Sequence, residues 1–122
     1  MDKESIELSG APMYGPYTPG VKSNGTVWLS GQIDVQAGDD ILSQTQGALN
    51  KIDSLLANAG LSKHNLCFVQ VLLADMEFYA PMNDVYGKWV SDMDIKPARA
   101  AFAVAGLPLS LIHISEPTRP LR

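Results

Sequence analysis

Arg99 is the residue from which chemistry can be argued. It heads the run Ala98-Arg99-Ala100-Ala101-Phe102-Ala103-Val104-Ala105 as its only charge, between Lys96-Pro97 and the turn Gly106-Leu107-Pro108. Burying an unpaired guanidinium is costly. Arg99 must therefore reach water, pair with an acid such as Asp92 or Asp94, or hold an anionic ligand. Its fork of donors fits a carboxylate bidentately. Three further positions invite the same question. Tyr17 follows a Gly-Pro turn, where its ring can cover the core with a wet hydroxyl or offer a phenolic donor to a ligand. Ser30-Gly31 interrupts an apolar strand, a pattern that marks a bulge or a close backbone approach. Asn83 lies near a helix start, either as a cap or turn residue or as part of a pocket wall.

The elements that must position these residues follow from periodicity. Residues 5–9 alternate as a short first strand. Three prolines and three glycines between Gly10 and Gly20 exclude a helix there. Ser23-Asn24-Gly25 then joins two strands, Tyr17 to Lys22 and Thr26 to Ile33, as a hairpin. Ile41 to Ala59 has helical spacing, with Ala48, Leu49, Ile52, Leu55, Leu56 and Ala59 on one stripe and Gly60 ending it. Leu66 to Ala74 reads as a central strand. Tyr79 to Asp92 is a second helix, with Pro81 in its first turn and Met82, Val85, Tyr86, Trp89 and Val90 inward. Pro97 opens a strand that runs on through Ala98 to Ala105, and Leu109 to Ile114 is a further one, ended by Pro117 and Pro120. Two helices on one face of a mixed sheet make a two-layer α+β domain. The other face is left uncovered, with Val27, Leu29, Val69, Val71, Phe102 and Val104 as candidates for it, and this calls for a partner chain.

Composition narrows the function classes. The 122 residues suit one domain, and 46% hydrophobic with 18% charged residues is ordinary for a globular chain. A net charge of −4 with dispersed signs gives no basic stripe for nucleic acid. One cysteine precludes an internal disulfide. Flanked by Leu66 and Phe68, Cys67 reads as a buried small hydrophobe, and His64 beside it lies in a polar turn. No apolar run is long enough for a membrane span, and the charged N-terminus lacks a signal-peptide core. The expectation is a cytoplasmic protein with no membrane partner. No phosphate loop, dinucleotide fingerprint, metal-ligand cluster or nucleophile elbow occurs, so neither cofactor nor metal is expected, and His64 and His113 stand isolated.

Five blocks resemble, in order and spacing, the RidA/YjgF/YER057c/UK114 family: Gly15-Pro16-Tyr17, Ser30-Gly31-Gln32-Ile33, the helix ending Ala59-Gly60-Leu61, Met82-Asn83-Asp84-Val85-Tyr86, and Pro97-Ala98-Arg99. The resemblance covers residues 10 to 108. It implies a homotrimer of chorismate-mutase-like α+β subunits whose sheets face the trimer centre. It implies a deaminase, a hydrolase acting on C–N bonds, that turns reactive 2-imino or enamine acids into 2-oxo acids and ammonia. Arg99 would clamp the substrate carboxylate between two subunits and Tyr17 would hydrogen-bond it, these two being the catalytic candidates. Ser30, Gly31, Asn83 and Ala101 would complete the substrate-binding surface.

Two departures stand against the pattern. Many members carry cysteine where this chain has Ala101. The family strand with a glutamate flanked by apolar residues reads here Leu111-Ile112-His113-Ile114-Ser115, without the glutamate. That opens the alternative of a non-catalytic small-carboxylate binder or regulator using the same cleft. Residues 1–109 read as the single domain. Residues 110–122 resemble a translated sequencing-adapter peptide and are expected to be a foreign segment without functional weight.

Overall fold

Asp40 opens the longer helix, its carboxylate accepting from the Ser43 N–H at 3.3 Å. This bond satisfies one of the free donors of the first turn, and hydrogen bonding from Ser43, its side chain first and its N–H second, holds the Asp40 carboxyl below the usual carboxylate range. Helix α1 runs Ile41–Asn58, and Gly60 closes it in the left-handed region at φ 76°. Its stripe of Ala48, Leu49, Ile52, Leu55 and Leu56 is fully buried. Helix α2 runs Tyr79–Trp89. It ends before the Asp92 the spacing suggested, where Val90 and Ser91 turn back onto Tyr86 and Lys88. The Trp89 indole N–H donates to Asp53 Oδ2 at 3.0 Å and ties α2 to α1.

The computed structural model describes residues 2–10, 13–107 and 110–118, with 115–118 described by backbone alone. It holds six strands: β1 Glu4–Ile6, β2 Gly20–Ser23, β3 Thr26–Gln32, β4 Phe68–Leu73, β5 Ala98–Ala103 and β6 Ile112–Thr118. They form one sheet in the order β1-β2-β3-β6-β4-β5. Only β4 and β5 are parallel, and α2 supplies the crossover that such a pair needs. Asn24 and Gly25, at φ 52° and 77°, make the two-residue hairpin between β2 and β3. The α+β reading with two helices on a mixed sheet is thus the observed architecture.

Alternation along the strands sorts the sheet into two faces. Val27, Leu29, Val69, Val71, Leu73, Ile112 and Ile114 are buried with the helices. This corrects the expectation that Val27, Leu29, Val69 and Val71 line the uncovered face. They have the opposite parity, whereas Phe102, which was expected on the open side, stands there at 43% exposed together with Trp28 at 52%. Cys67 is likewise exposed, because Leu66 takes the inward position and the next residue turns outward.

The last strand also departs from expectation. Pro117 does not end β6 but stands opposite Trp28 within it. The β4 ladder stops at the pair Gln70 and Ser115, so a proline two residues on removes no donor from that side. Leu109 and Pro120 lie outside the described residues.

Candidate functional site

Arg99 enters the sheet on β5 in register with Val69 and shares its face, the side on which the helices pack. Tyr79, Met82, Asn83 and Tyr86 recur at helical spacing on α2 and surround it. Arg99 Nη1 donates to Asn83 Oδ1 at 2.7 Å, and Nη2 to the Tyr79 hydroxyl at 3.1 Å. The guanidinium carbon lies 4.9 Å from the Tyr86 ring centroid and 5.6 Å from that of Tyr79. Both are cation–π distances. Among the described residues Arg99 has no ion pair. Asp92, the neighbour that sequence alone allowed as its partner, is taken by Lys63 at 3.3 Å and His64 at 3.8 Å. The Lys63 hydrogen bond holds the Asp92 carboxyl below its usual range. Thus Arg99 is held by neutral oxygens and aromatic faces, and its charge has no counterion among the described residues.

A second constellation forms at β3. The register of β3 against β6 shifts between Leu29 and Gln32, so Ser30-Gly31 is a bulge. The Ser30 hydroxyl donates to the Thr18 carbonyl at 2.7 Å and the Ser30 N–H to Pro19 O at 2.9 Å. These bonds fasten the Gly/Pro loop to the bulge and carry Tyr17 with it. A cleft of about 420 Å³ results, lined by Tyr14, Gly15, Tyr17, Ser30, Gly31, Ile33 and His113.

His113 is the group in this cleft that sequence reasoning missed. It alternates with buried Ile112 and Ile114 and so projects from the opposite, open face of β6. A Cβ at position 31 would fall 1.5 Å from His113 Nε2, so the missing side chain of Gly31 is what admits the imidazole. Burial pushes the His113 pKa below its ordinary 6.5. Its Nδ1 is buried and has no hydrogen-bond partner among the described residues.

One chain brings Arg99 together with Asn83, and Tyr17 together with Ser30 and Gly31, but it does not bring the two groups together. From β3 to β5 is three strand steps, roughly 14 Å at ~4.8 Å each, and the groups project from opposite faces. Ala101 lies two residues beyond Arg99, partly buried against the core. Tyr79 and Tyr86 were legible as helix residues, but their role as walls around the guanidinium was not.

Comparison with known proteins decides the family. A model described as Endoribonuclease L-PSP matches residues 9–114. The chain belongs to that family, the YjgF/RidA family. This YjgF/RidA chain is 39% identical over 110 residues to the Schizosaccharomyces pombe protein named "Protein mmf1, mitochondrial", spanning 87% of this chain and 65% of that one. It is 33% identical to the mouse 2-iminobutanoate/2-iminopropanoate deaminase, over 87% of this chain and 82% of the mouse protein. Among solved structures, Escherichia coli TdcF with bound serine superposes with a TM-score of 0.87 at 29% identity, covering 97% and 99% of the two chains. Among the described residues no helix is long and apolar enough to cross a membrane. No group of three or more His, Cys, Asp or Glu side chains among them is gathered to hold a metal.

Proposed function

We propose that this protein hydrolyses reactive 2-imino and enamine acids to 2-oxo acids and ammonia, in clefts completed between the subunits of a homotrimer. The observation that carries the reading is the state of Arg99. Its guanidinium is oriented by Asn83 and Tyr79 yet unneutralised by any described acid, so a substrate carboxylate is the counterion it lacks. The separation of Arg99 from the Tyr17–Ser30–Gly31 cleft favours assembly, because a second chain can join one half-site to the other. Exposed Trp28 and Phe102 on the open sheet face favour the same assembly, with that face turned to the trimer centre.

The chemistry asks for little more than placement. An imine carbon is already electrophilic, and fixing the carboxylate beside one water supplies much of the effect. Tyr17 would hydrogen-bond the ligand, the Ser30-Gly31 backbone would approach it closely, and Ala101 would leave room beside Arg99. The mouse deaminase and the serine-bound E. coli structure agree with a small amino-acid-derived carboxylate as the ligand class.

The test couples the purified protein to a threonine dehydratase and follows 2-oxo acid release. Acceleration over buffer is expected, with Arg99→Ala losing roughly 100-fold or more, since a bidentate charge-assisted contact is worth several kcal/mol. No acceleration overturns the enzyme reading. A second reading, a carboxylate-binding regulator, is favoured by the absence of Asp or Glu from the described lining of the cleft. It predicts saturable 2-oxobutanoate binding, lost in Arg99→Ala, without turnover. The foreign origin of residues 110–122 belongs to the same proposal. Sedimentation of the intact chain tests whether β6 in its present sequence permits a trimer, and a monomer would leave every cleft half-built.

A further inference from the structure

We propose that Lys51, on α1, is a positioning residue of the Tyr17–Gly31 cleft. It acts through the backbone of Ile33, which it holds where β3 leaves the bulge. The inference rests on the reading of that cleft as part of the ligand site, and both ends of the contact lie within residues 1–109. On its near side the bulge is tied by Ser30, whose hydroxyl donates to Thr18 O and whose N–H donates to Pro19 O. Gln32 Nε2 donates back to Ser30 O at 2.8 Å and braces the bulge itself. On the far side β3 has ended at Gln32, and the next residue, Ile33, is buried and lines the cleft. There Lys51 Nζ donates to Ile33 O at 2.8 Å. Gly31 is thus suspended between two tethers, and the second comes from a helix.

Two features show that this contact is built into the fold. A lysine on an amphipathic helix ordinarily carries its ammonium out to water, but the Lys51 side chain is only 18% exposed. It lines a second space of about 20 Å³ that shares Tyr17, Gly31 and Ile33 with the cleft. Asp34 is the other feature. It stands at the N-cap of the 3-10 turn Val35–Ala37, yet its side chain makes no capping bond there. Its carboxylate lies instead on α1, where a Cβ at Gly47 would fall 2.5 Å from Asp34 Oδ2. Gly47 and Lys51 are one helical turn apart on the same face, and Lys51 Nζ is 3.9 Å from Asp34 Oδ1. At that length the ion pair is the weaker contact and the carbonyl the main one. Bare Cα and ammonium together press Ile33-Asp34 onto α1. Gly31 has only its backbone to offer a ligand, so its placement is its whole contribution. A shift of about 1 Å in such a group can cost on the order of 100-fold in rate.

The experiment compares the intact protein with Lys51→Met and Lys51→Arg in the dehydratase-coupled assay, with 2-oxobutanoate titration and urea midpoints on the same samples. Methionine keeps the apolar stem and removes the donor, whereas arginine keeps a charged donor. In folded Lys51→Met, kcat/KM should fall about 10- to 100-fold, and the 2-oxobutanoate dissociation constant should rise by about threefold or more. Lys51→Arg should recover most of both. If Lys51→Met does not fold, Lys51→Gln, polar and one bond shorter, decides. A lower urea midpoint with kcat/KM and binding unchanged makes Lys51 a structural residue only and overturns the proposal, leaving the deaminase reading standing. Lys51→Arg as impaired as Lys51→Met overturns it as well, because the donated bond is then not what matters. A wild type that binds 2-oxobutanoate without turnover removes the deaminase reading alone, and the binding series then decides the role of Lys51. A wild type that does neither removes both.

Discussion

Asn83 Oδ1 accepts the shortest hydrogen bond that Arg99 makes to oxygen, 2.7 Å, so a dipole rather than a charge aims the guanidinium. An amide at this position orients the cation without neutralising it. That leaves the attraction for a ligand carboxylate intact.

Asn83→Asp should therefore act against function while tightening the local contact. The new carboxylate is nearly isosteric and supplies the counterion from inside the chain. A hydrogen bond to a charged group is worth about 1.5–3 kcal/mol, so 2-oxobutanoate affinity should fall roughly 10- to 150-fold while the fold is retained. Isothermal titration reads this directly. An unchanged dissociation constant would mean that Arg99 does not anchor the ligand.

Gly31 and His113 should be energetically coupled. A methyl at position 31 would occupy the space of the imidazole, so Gly31→Ala must displace the ring, at a cost of about 1–3 kcal/mol for overpacking. Removing the ring in His113→Ala should relieve most of that cost, giving a coupling of at least ~1 kcal/mol between contacting residues. Urea midpoints of the four chains in the cycle measure it. Additive losses would show that the two positions do not touch.

Acid should loosen the protein through His113. Because burial lowers its folded-state pKa below 6.5, the unfolded chain binds the proton more readily. The stability linked to the neutral ring is thus fully present above about pH 6.5 and is lost as pH falls through the depressed folded value. The ring is only partly buried, so the slope is modest. His113→Gln should have a flatter dependence of its urea midpoint on pH from about 6.5 downward. An identical slope in both chains would place the proton uptake elsewhere.

The helices were legible because their information is local. The stripe from Ala48 to Leu56, the glycine at 60 and Pro81 in the first turn each act within a few residues, and all took the predicted places. The Ser30-Gly31 bulge was legible for the same reason, since glycine in an apolar strand has few other uses. Sheet faces were less so. Val27 and Phe102 are equally apolar, and only the position of the helices decides that the first is buried and the second half-exposed. Residues around Arg99 could be placed on α2, but their closure on the guanidinium depends on how α2 crosses from β4 to β5. His113 was set aside with an atypical tail, although its alternation with Ile112 and Ile114 already placed it on the opposite side from the core. Its partner, Gly31, lies 82 positions upstream by residue number and can be found only once β6 is seen beside β3.

The place of β6 has a bearing on biosynthesis. It follows every other described strand in the chain yet is inserted between β3 and β4. Until residues 112–118 have left the ribosome, the nascent polypeptide can hold only two separate ribbons, β1-β2-β3 and β4-β5, each with a bare backbone edge. Such edges are templates for adhesion to other chains. A nascent chain stalled just short of this segment would therefore be the species most in need of a chaperone.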